Sequence, residues 1–195
     1  MSDSSSTEDE ILLLYSQGEW ETILDKFDRN RFLPWIWPSK ENLDFIGNWA
    51  RQRRSNSIVS VGCGSGFFEW LLEMATGVKV TGVEIKGIWW NSKYSSGSFI
   101  PLLLVDETTR SRLEMNTENS ILLFCYFNNL NAFLDYVNSF MGNCLIVIGP
   151  GPGRGTYTIP EPFHLPEETP GKWEFVESQE LRSSKDHIAV YTRTL

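Results

Sequence analysis

The chain has 195 residues, of which 41% are hydrophobic and 13% aromatic, enough for one domain with a single core. Its formal net charge of −8 argues against a polynucleotide backbone as the dominant partner, which needs a segregated basic face; the one dense basic cluster, Arg51, Arg53 and Arg54, reads as the solvated end of a helix. Three cysteines with no CxxC pair point to reduced thiols in a cytoplasmic or nuclear protein, and no apolar run approaches the ~18 residues of a membrane span.

The first ten residues are serine-rich and acidic and lack the basic and apolar regions of a signal peptide. Residues 1 to 6 read as a disordered tail. Thr7-x-x-Glu10 before Ile11-Leu12-Leu13-Leu14 is a capping box, and Trp20, Ile23, Leu24 and Phe27 continue at helical spacing beyond Gly18, which predicts two short helices. Pro34 and Pro38 hold residues 33–38 extended. Ser39 then caps a helix whose buried side is Leu43, Phe45, Ile46, Trp49 and Ala50. The chain accordingly divides into an N-terminal region, residues 1–38, and a main domain, residues 39–195.

Ile58-Val59-Ser60-Val61 is the apolar, β-branched run of a strand buried on both faces. It breaks into Gly62-Cys63-Gly64-Ser65-Gly66, and helical spacing resumes from Phe67 to Met74, with Gly77 as the stop. This order aims backbone N–H groups and the positive end of a helix dipole at the crevice above the strand's carboxyl end, where nucleotide-like cofactors bind. Phe67 stands where a dinucleotide fingerprint needs its third glycine, and no Gly-Lys-Ser/Thr follows, so both phosphate-cradle readings weaken. A second strand, Val78 to Ile85, ends in Glu84, 22 positions past Gly62, where an acid for ribose hydroxyls is expected. Residues 86–94 read as at most two helical turns, ended by Ser95-Ser96-Gly97. A third strand from Phe99 to Val105 closes with Asp106-Glu107.

Gly62-x-Gly64-x-Gly66 with Glu84 and Asp106 on the next two strands resembles the first motifs of class I S-adenosylmethionine-dependent methyltransferases. The resemblance covers roughly residues 39–195 and implies a three-layer, Rossmann-like α/β fold. Its sheet would have seven strands, mostly parallel with an antiparallel final strand, and the short N-terminal helices are an addition. S-adenosylmethionine is the implied cofactor, held by Gly62, Cys63 and Gly64, with Glu84 on the ribose, Ile85 against the adenine ring and Asp106 near the adenine amino group. Glu84 and Asp106 as plain solvated strand ends are the alternative. In this family the segment before the first strand lies over the cofactor mouth; Trp35 and Trp37 would form that cover, or anchor the N-terminal helices to the core.

Residues 121–126 form the expected fourth strand. Leu130, Phe133, Leu134, Val137 and Met141 then share a helical face, with Gly142 as a left-handed stop. The fifth strand is Cys144 to Ile148, and residues 173–176 and 187–191 pair as a final hairpin. Between them, Gly149 to Pro170 holds six of the nine prolines and four glycines, which leaves no room for a helix and makes a candidate substrate lid. Relatives that methylate base amines usually carry Asp/Asn-Pro-Pro-aromatic at the end of strand four, whereas Phe124 to Asn129 has neither the acid nor the prolines. Tyr126 and Asn128 are candidates for orienting a substrate, against a core position for Tyr126 and a helix-cap role for Asn128 or Asn129. His164, in the proline loop, is the candidate general base by position, and no cluster has metal-ligand spacing. The expectation is an S-adenosylmethionine-binding protein, a methyltransferase for a small molecule or a protein, with no nucleic-acid or membrane partner. A catalytically silent relative acting as a cofactor sensor or interaction subunit is the alternative.

Overall fold

A computed structural model describes residues 3–28, 32, 33, 35–86, 97–106 and 117–194, with side chains from residue 6 onward. The short helix expected after Lys86, and Glu107, lie outside these residues.

The elements follow one another as α1 (Asp3–Gln17), α2 (Trp20–Lys26), α3 (Lys40–Gln52), β1 (Ser57–Val61), α4 (Phe67–Thr76), β2 (Lys79–Ile85), β3 (Leu102–Val105), β4 (Ser120–Cys125), α5 (Leu130–Ser139), β5 (Cys144–Pro150), β6 (Glu174–Leu181) and β7 (Asp186–Thr192). They build one seven-stranded sheet in the order β3-β2-β1-β4-β5-β7-β6. Strands β1 to β5 pair in parallel, and β7 runs antiparallel to both β5 and β6. The order reverses between β1 and β4, the switch point at which open α/β sheets bind ligands.

Register places the site. Val61 pairs with Val83 on one side and Phe124 on the other, so the carboxyl ends of β1, β2 and β4 finish level. Alternation along buried strands sorts side chains between two faces. Ile58, Val80, Ile121, Leu123, Ile146 and Ile148 join the cluster under α1 to α4. Val59, Val61, Val83, Leu122, Phe124 and Leu145 join Phe133, Tyr136 and Val137 of α5 on the other face. Ile11, Ile23 and Leu24 of the N-terminal helices are buried in the first cluster.

Several sequence expectations shift. Helix α1 already begins at Asp3, ahead of the capping box. Ser39 caps α3 as expected, and Asn42 completes the box by accepting the Ser39 N–H at 2.9 Å. The third strand starts only at Leu102, because Phe99 and Ile100 turn into the α4 cluster and the Phe99 N–H donates to Ser65 O at 2.9 Å. Gly142 is no left-handed stop: α5 ends at Ser139, its cap residue Phe140 is already extended, and Met141 is exposed. Glycine is needed there for close approach, since a Cβ would stand 2.7 Å from Ser120 O and 2.8 Å from Thr117 O. Gly149 to Pro170 carries no helix.

Candidate functional site

The turn after β1 needs left-handed backbone at alternate positions, with φ of 71° at Gly62, 60° at Gly64 and 77° at Gly66. Gly62 N–H continues the sheet by donating to Val83 O at 2.8 Å, and Gly66 begins α4 by accepting from Trp70 N–H at 2.9 Å. Gly64 N–H donates to Glu84 Oε2 at 2.9 Å, while Ile85 N–H donates to Glu84 Oε1 at 3.0 Å. Glu84 thus clasps the glycine turn to the end of β2. A carboxylate has about four acceptor positions, of which these two backbone donors use two, and Glu84 lines the crevice beside the turn. The Cys63 side chain turns away toward β2, where a Cβ on Gly82 would lie 2.6 Å from its Sγ, and burial pushes its thiol up. Only the backbone of Cys63 is left for a ligand.

The crevice beside this turn is lined by Gly62, Glu84, Ile85, Phe127, Asn129 and Tyr136 and has a volume of about 90 Å³. Pockets that enclose drug-sized ligands run to roughly 300–1,000 Å³. The filler is Phe127: a Cβ on Gly62 would stand 2.8 Å from its ring, whereas nothing lies within 4 Å of a Cβ on Gly64. The Gly64 face and the Glu84 carboxylate are the polar groups of the turn beside this crevice, and the Phe127 ring occupies the space against Gly62. At the ends of β2 and β3, Lys86 Nζ and Asp106 Oδ2 form an exposed ion pair at 3.2 Å.

The end of β4 holds a second constellation. Tyr126 has a φ of 51°, and its N–H donates to Ile148 O at 2.8 Å. Its ring stacks on Trp35 with centroids 5.5 Å apart and planes at 15°, leaving Trp35 63% exposed. Its hydroxyl donates to Asp186 Oδ1 at 2.6 Å, and Arg154 Nε of the proline loop donates to the same oxygen at 3.0 Å. Asp186 is 2% exposed and also accepts from Ser184 Oγ at 3.1 Å through Oδ2. Burial and the bond to Asp186 push the Tyr126 hydroxyl well above the usual tyrosine range, so it acts as a donor rather than a base.

The other candidates separate from this cluster. Asn129 caps α5 by accepting the Ala132 N–H at 3.0 Å. Asn128, exposed, bridges the backbone of Ile159. His164 is exposed, 3.7 Å from Glu161, and lines a different basin with Tyr157, Phe163 and Phe175. Among the described residues no three His, Cys, Asp or Glu side chains gather to hold a metal, and no helix is long and apolar enough to cross a membrane.

Sequence reasoning missed Asp186, Arg154 and Glu69. Glu69 lies on the first turn of α4, is 1% exposed, and accepts from Ser60 Oγ at 2.6 Å through Oε1. Its Oε2 has no partner; Trp37 Nε1 is the other buried, unpartnered side-chain atom among the described residues. Burial, reinforced by the charge of Glu84, pushes the Glu69 carboxyl up to about 7. The signal was available in the sequence: a single acid flanked by Phe67, Phe68, Trp70 and Leu71 in a helix that had to bury that side.

No family model matches the sequence, and no curated protein sequence matches it. Solved structures do. The chain is similar to magnesium protoporphyrin IX methyltransferase from Synechocystis PCC 6803 with bound SAM, at 14% identity and a TM-score of 0.51, over 100% of this chain and 98% of that one. It is equally similar to a TehB-like SAM-dependent methyltransferase from Corynebacterium glutamicum, at 15% identity and a TM-score of 0.51, over 97% and 99% of the two chains. The fold is that of the class I methyltransferases. In this methyltransferase fold the glycine turn, Glu84 and the end of β4 all stand at the switch point of the sheet.

Proposed function

We propose that the chain binds S-adenosylmethionine at the glycine turn and transfers its methyl group to a small molecule or a protein side chain. Gly62, Cys63 and Gly64 contribute backbone, Glu84 accepts from the ribose hydroxyls, Ile85 packs on the adenine ring and Asp106 reaches the adenine amino group. When bound, the cofactor supplies a methyl group already activated by its sulfonium, so the protein has mainly to align an acceptor and exclude water. The observation that carries this reading is the Gly64–Glu84 clasp, which leaves a carboxylate with spare acceptor positions beside an open glycine face. The fold neighbours, one of them crystallised with bound SAM, support it.

Trp35, Tyr126 and Arg154 frame the acceptor side. The free face of Trp35 offers a stacking surface, and the Arg154 guanidinium keeps donors beyond the one given to Asp186. Tyr126 orients an acceptor by its ring rather than by taking a proton. A net charge of −8 and the plain Phe124–Asn129 ending favour a small molecule or a protein over a nucleic-acid base.

The test is calorimetric titration with S-adenosylmethionine and S-adenosylhomocysteine. Two charge-assisted hydrogen bonds at about 1.5–3 kcal/mol each make Glu84→Ala weaken binding at least about tenfold, with the fold retained. Unchanged affinity in a folded Glu84→Ala variant removes the assignment of the site, and no binding of either ligand removes the cofactor. One observation favours a second reading, a cofactor-binding protein without transfer: the groups at the end of β4 are spent on one another, Tyr126 on Asp186 and Asn129 on its helix. Tight binding without transfer to any acceptor pool decides for it.

A further inference from the structure

At the end of β4 an aromatic surface and a cation are fixed to one residue. Tyr126 holds Trp35 by its ring, with centroids 5.5 Å apart, and Asp186 by its hydroxyl, at 2.6 Å. Arg154 Nε donates to the same Asp186 oxygen at 3.0 Å. Asp186 is 2% exposed and its other oxygen accepts from Ser184 Oγ, so a buried carboxylate anchors both the tyrosine and the arginine. Backbone bonds steady the loop that brings Arg154 there: Gly151 N–H donates to Lys185 O at 2.7 Å, and Arg154 N–H to Gly151 O at 3.2 Å. Both groups are therefore held in place before any ligand arrives, which lowers the entropy cost of binding one. Both also reach solvent. Trp35 is 63% exposed although it stacks on Tyr126. The Arg154 side chain is 37% exposed, and among the described residues Asp186 is its one carboxylate partner, met through Nε. A guanidinium has five N–H donors, so the Nη fork is not part of that bond.

We propose that Trp35, Tyr126 and Arg154 form a binding site for a planar carboxylate, an aromatic acid whose ring lies against the exposed indole of Trp35 and whose carboxylate meets the Arg154 fork. This names a substrate class for the acceptor side; it rests on the function proposed above for the ligand's role as methyl acceptor, and not for its binding. Each half of the site selects one property. An indole surface favours a flat π system over a saturated ring of the same size. The guanidinium fork presents parallel donors that match the two oxygens of a carboxylate, and its charge does not titrate away. A phosphate would also fit the fork, but a dianion calls for more donors than one arginine brings. Pro150 and Pro152 remove two N–H groups from the adjoining turn, and a chain of net charge −8 repels a dianion more than a monoanion. Lys185 adds the one further cation close by, its Nζ donating at 3.2 Å to the carbonyl of Gly153, the residue before Arg154.

The experiment is calorimetric titration of the whole chain, without cofactor, with 2-naphthoate, its neutral amide 2-naphthamide, the saturated cyclohexanecarboxylate and 2-naphthyl phosphate. The expected result is one equivalent of 2-naphthoate bound, with the amide and the saturated acid each weaker by about tenfold or more. Arg154→Gln should bring 2-naphthoate down to the level of the amide while the amide stays within about threefold. Trp35→Ala changes an exposed residue and leaves the Asp186 bonds in place; it should weaken 2-naphthoate and the amide alike, by about threefold or more. If Arg154→Gln does not fold because Asp186 loses a donor, the comparison of acid with amide and the Trp35→Ala variant still decide. No binding of 2-naphthoate, equal binding of acid and amide, or undiminished 2-naphthoate affinity in a folded variant overturns the proposal, and tighter binding of 2-naphthyl phosphate overturns the carboxylate class. Each of these outcomes leaves the cofactor site standing. Failure of S-adenosylmethionine to bind in its own titration removes the ligand's role as methyl acceptor and leaves this site in place.

Discussion

Glu69 has a consequence for stability. Its carboxyl is held at about 7 in the folded protein against an ordinary value of 4.5. Below 4.5 both states are protonated and nothing is lost; between 4.5 and about 7 the unfolded chain gives up its proton and the folded one keeps it, so stability falls as pH rises. The whole effect, on the order of 3 kcal/mol, is present above that window. Glu69→Gln should therefore raise the urea midpoint at pH 8 and lose that advantage progressively toward pH 4.5; a gain independent of pH would contradict the buried, ligand-free carboxyl. Gly62 and Phe127 make the second residue-scale case. Gly62→Ala meets both a φ of 71° and the Phe127 ring at 2.8 Å, for a combined cost of about 2–5 kcal/mol. In a Phe127→Ala background only the left-handed strain of about 1–2 kcal/mol should remain, and denaturant unfolding of the four proteins in the cycle measures the difference. The glycines and Glu84 were legible because their spacing is local. Tyr126 was named from the end of the fourth strand, but its partners Arg154 and Asp186 were not, because strand order alone brings together residues separated by 60 and 32 positions.

Among the elements, the strands with continuous apolar runs could be read directly: β1, β4 and β5 are buried along almost their whole length. The edge strand β6 could be read only in part. Its first four residues are all exposed, and the bulge between Phe175 and Glu177 breaks the alternation that would have revealed its full span to Leu181. Helix α5 was legible in its core face and misread at its end, because Gly142 signals close approach to β4 rather than a change of hand. Two irregular segments remain the candidate covers of the site. Trp35 rests on Tyr126, and Arg154 holds the proline loop to Asp186 beneath the same ring. Saturating S-adenosylmethionine should slow hydrogen exchange in residues 35–37, in residues 151–158, or in both. Equal exchange with and without ligand in both segments would leave neither as a lid.

At the scale of the whole molecule, the order of strands, turns and helices was enough to give the sheet, since a βα succession admits few right-handed arrangements. How the first helices join the main core was less accessible: Ile11, Ile23 and Leu24 are buried in it, though nothing in their spacing says against what. The net charge of −8 supports one prediction at this scale. Incubated with labelled cofactor and separate pools of RNA, DNA, protein and metabolites, the purified chain should label protein or metabolites and neither polynucleotide; robust labelling of RNA or DNA would refute the acceptor class proposed above. The final hairpin has a different reach. Asn42 of α3 donates to Gln179 Oε1 at 2.8 Å and Trp49 to Glu177 Oε2 at 3.1 Å, while Arg182 at the hairpin turn donates to Pro38 O and, across 158 positions, to Leu24 O. A nascent chain leaving the ribosome therefore carries α2 and α3 without these partners until β6 and β7 have emerged. The region synthesised early completes its contacts late, and in the interval its exposed apolar face is the part a chaperone would meet.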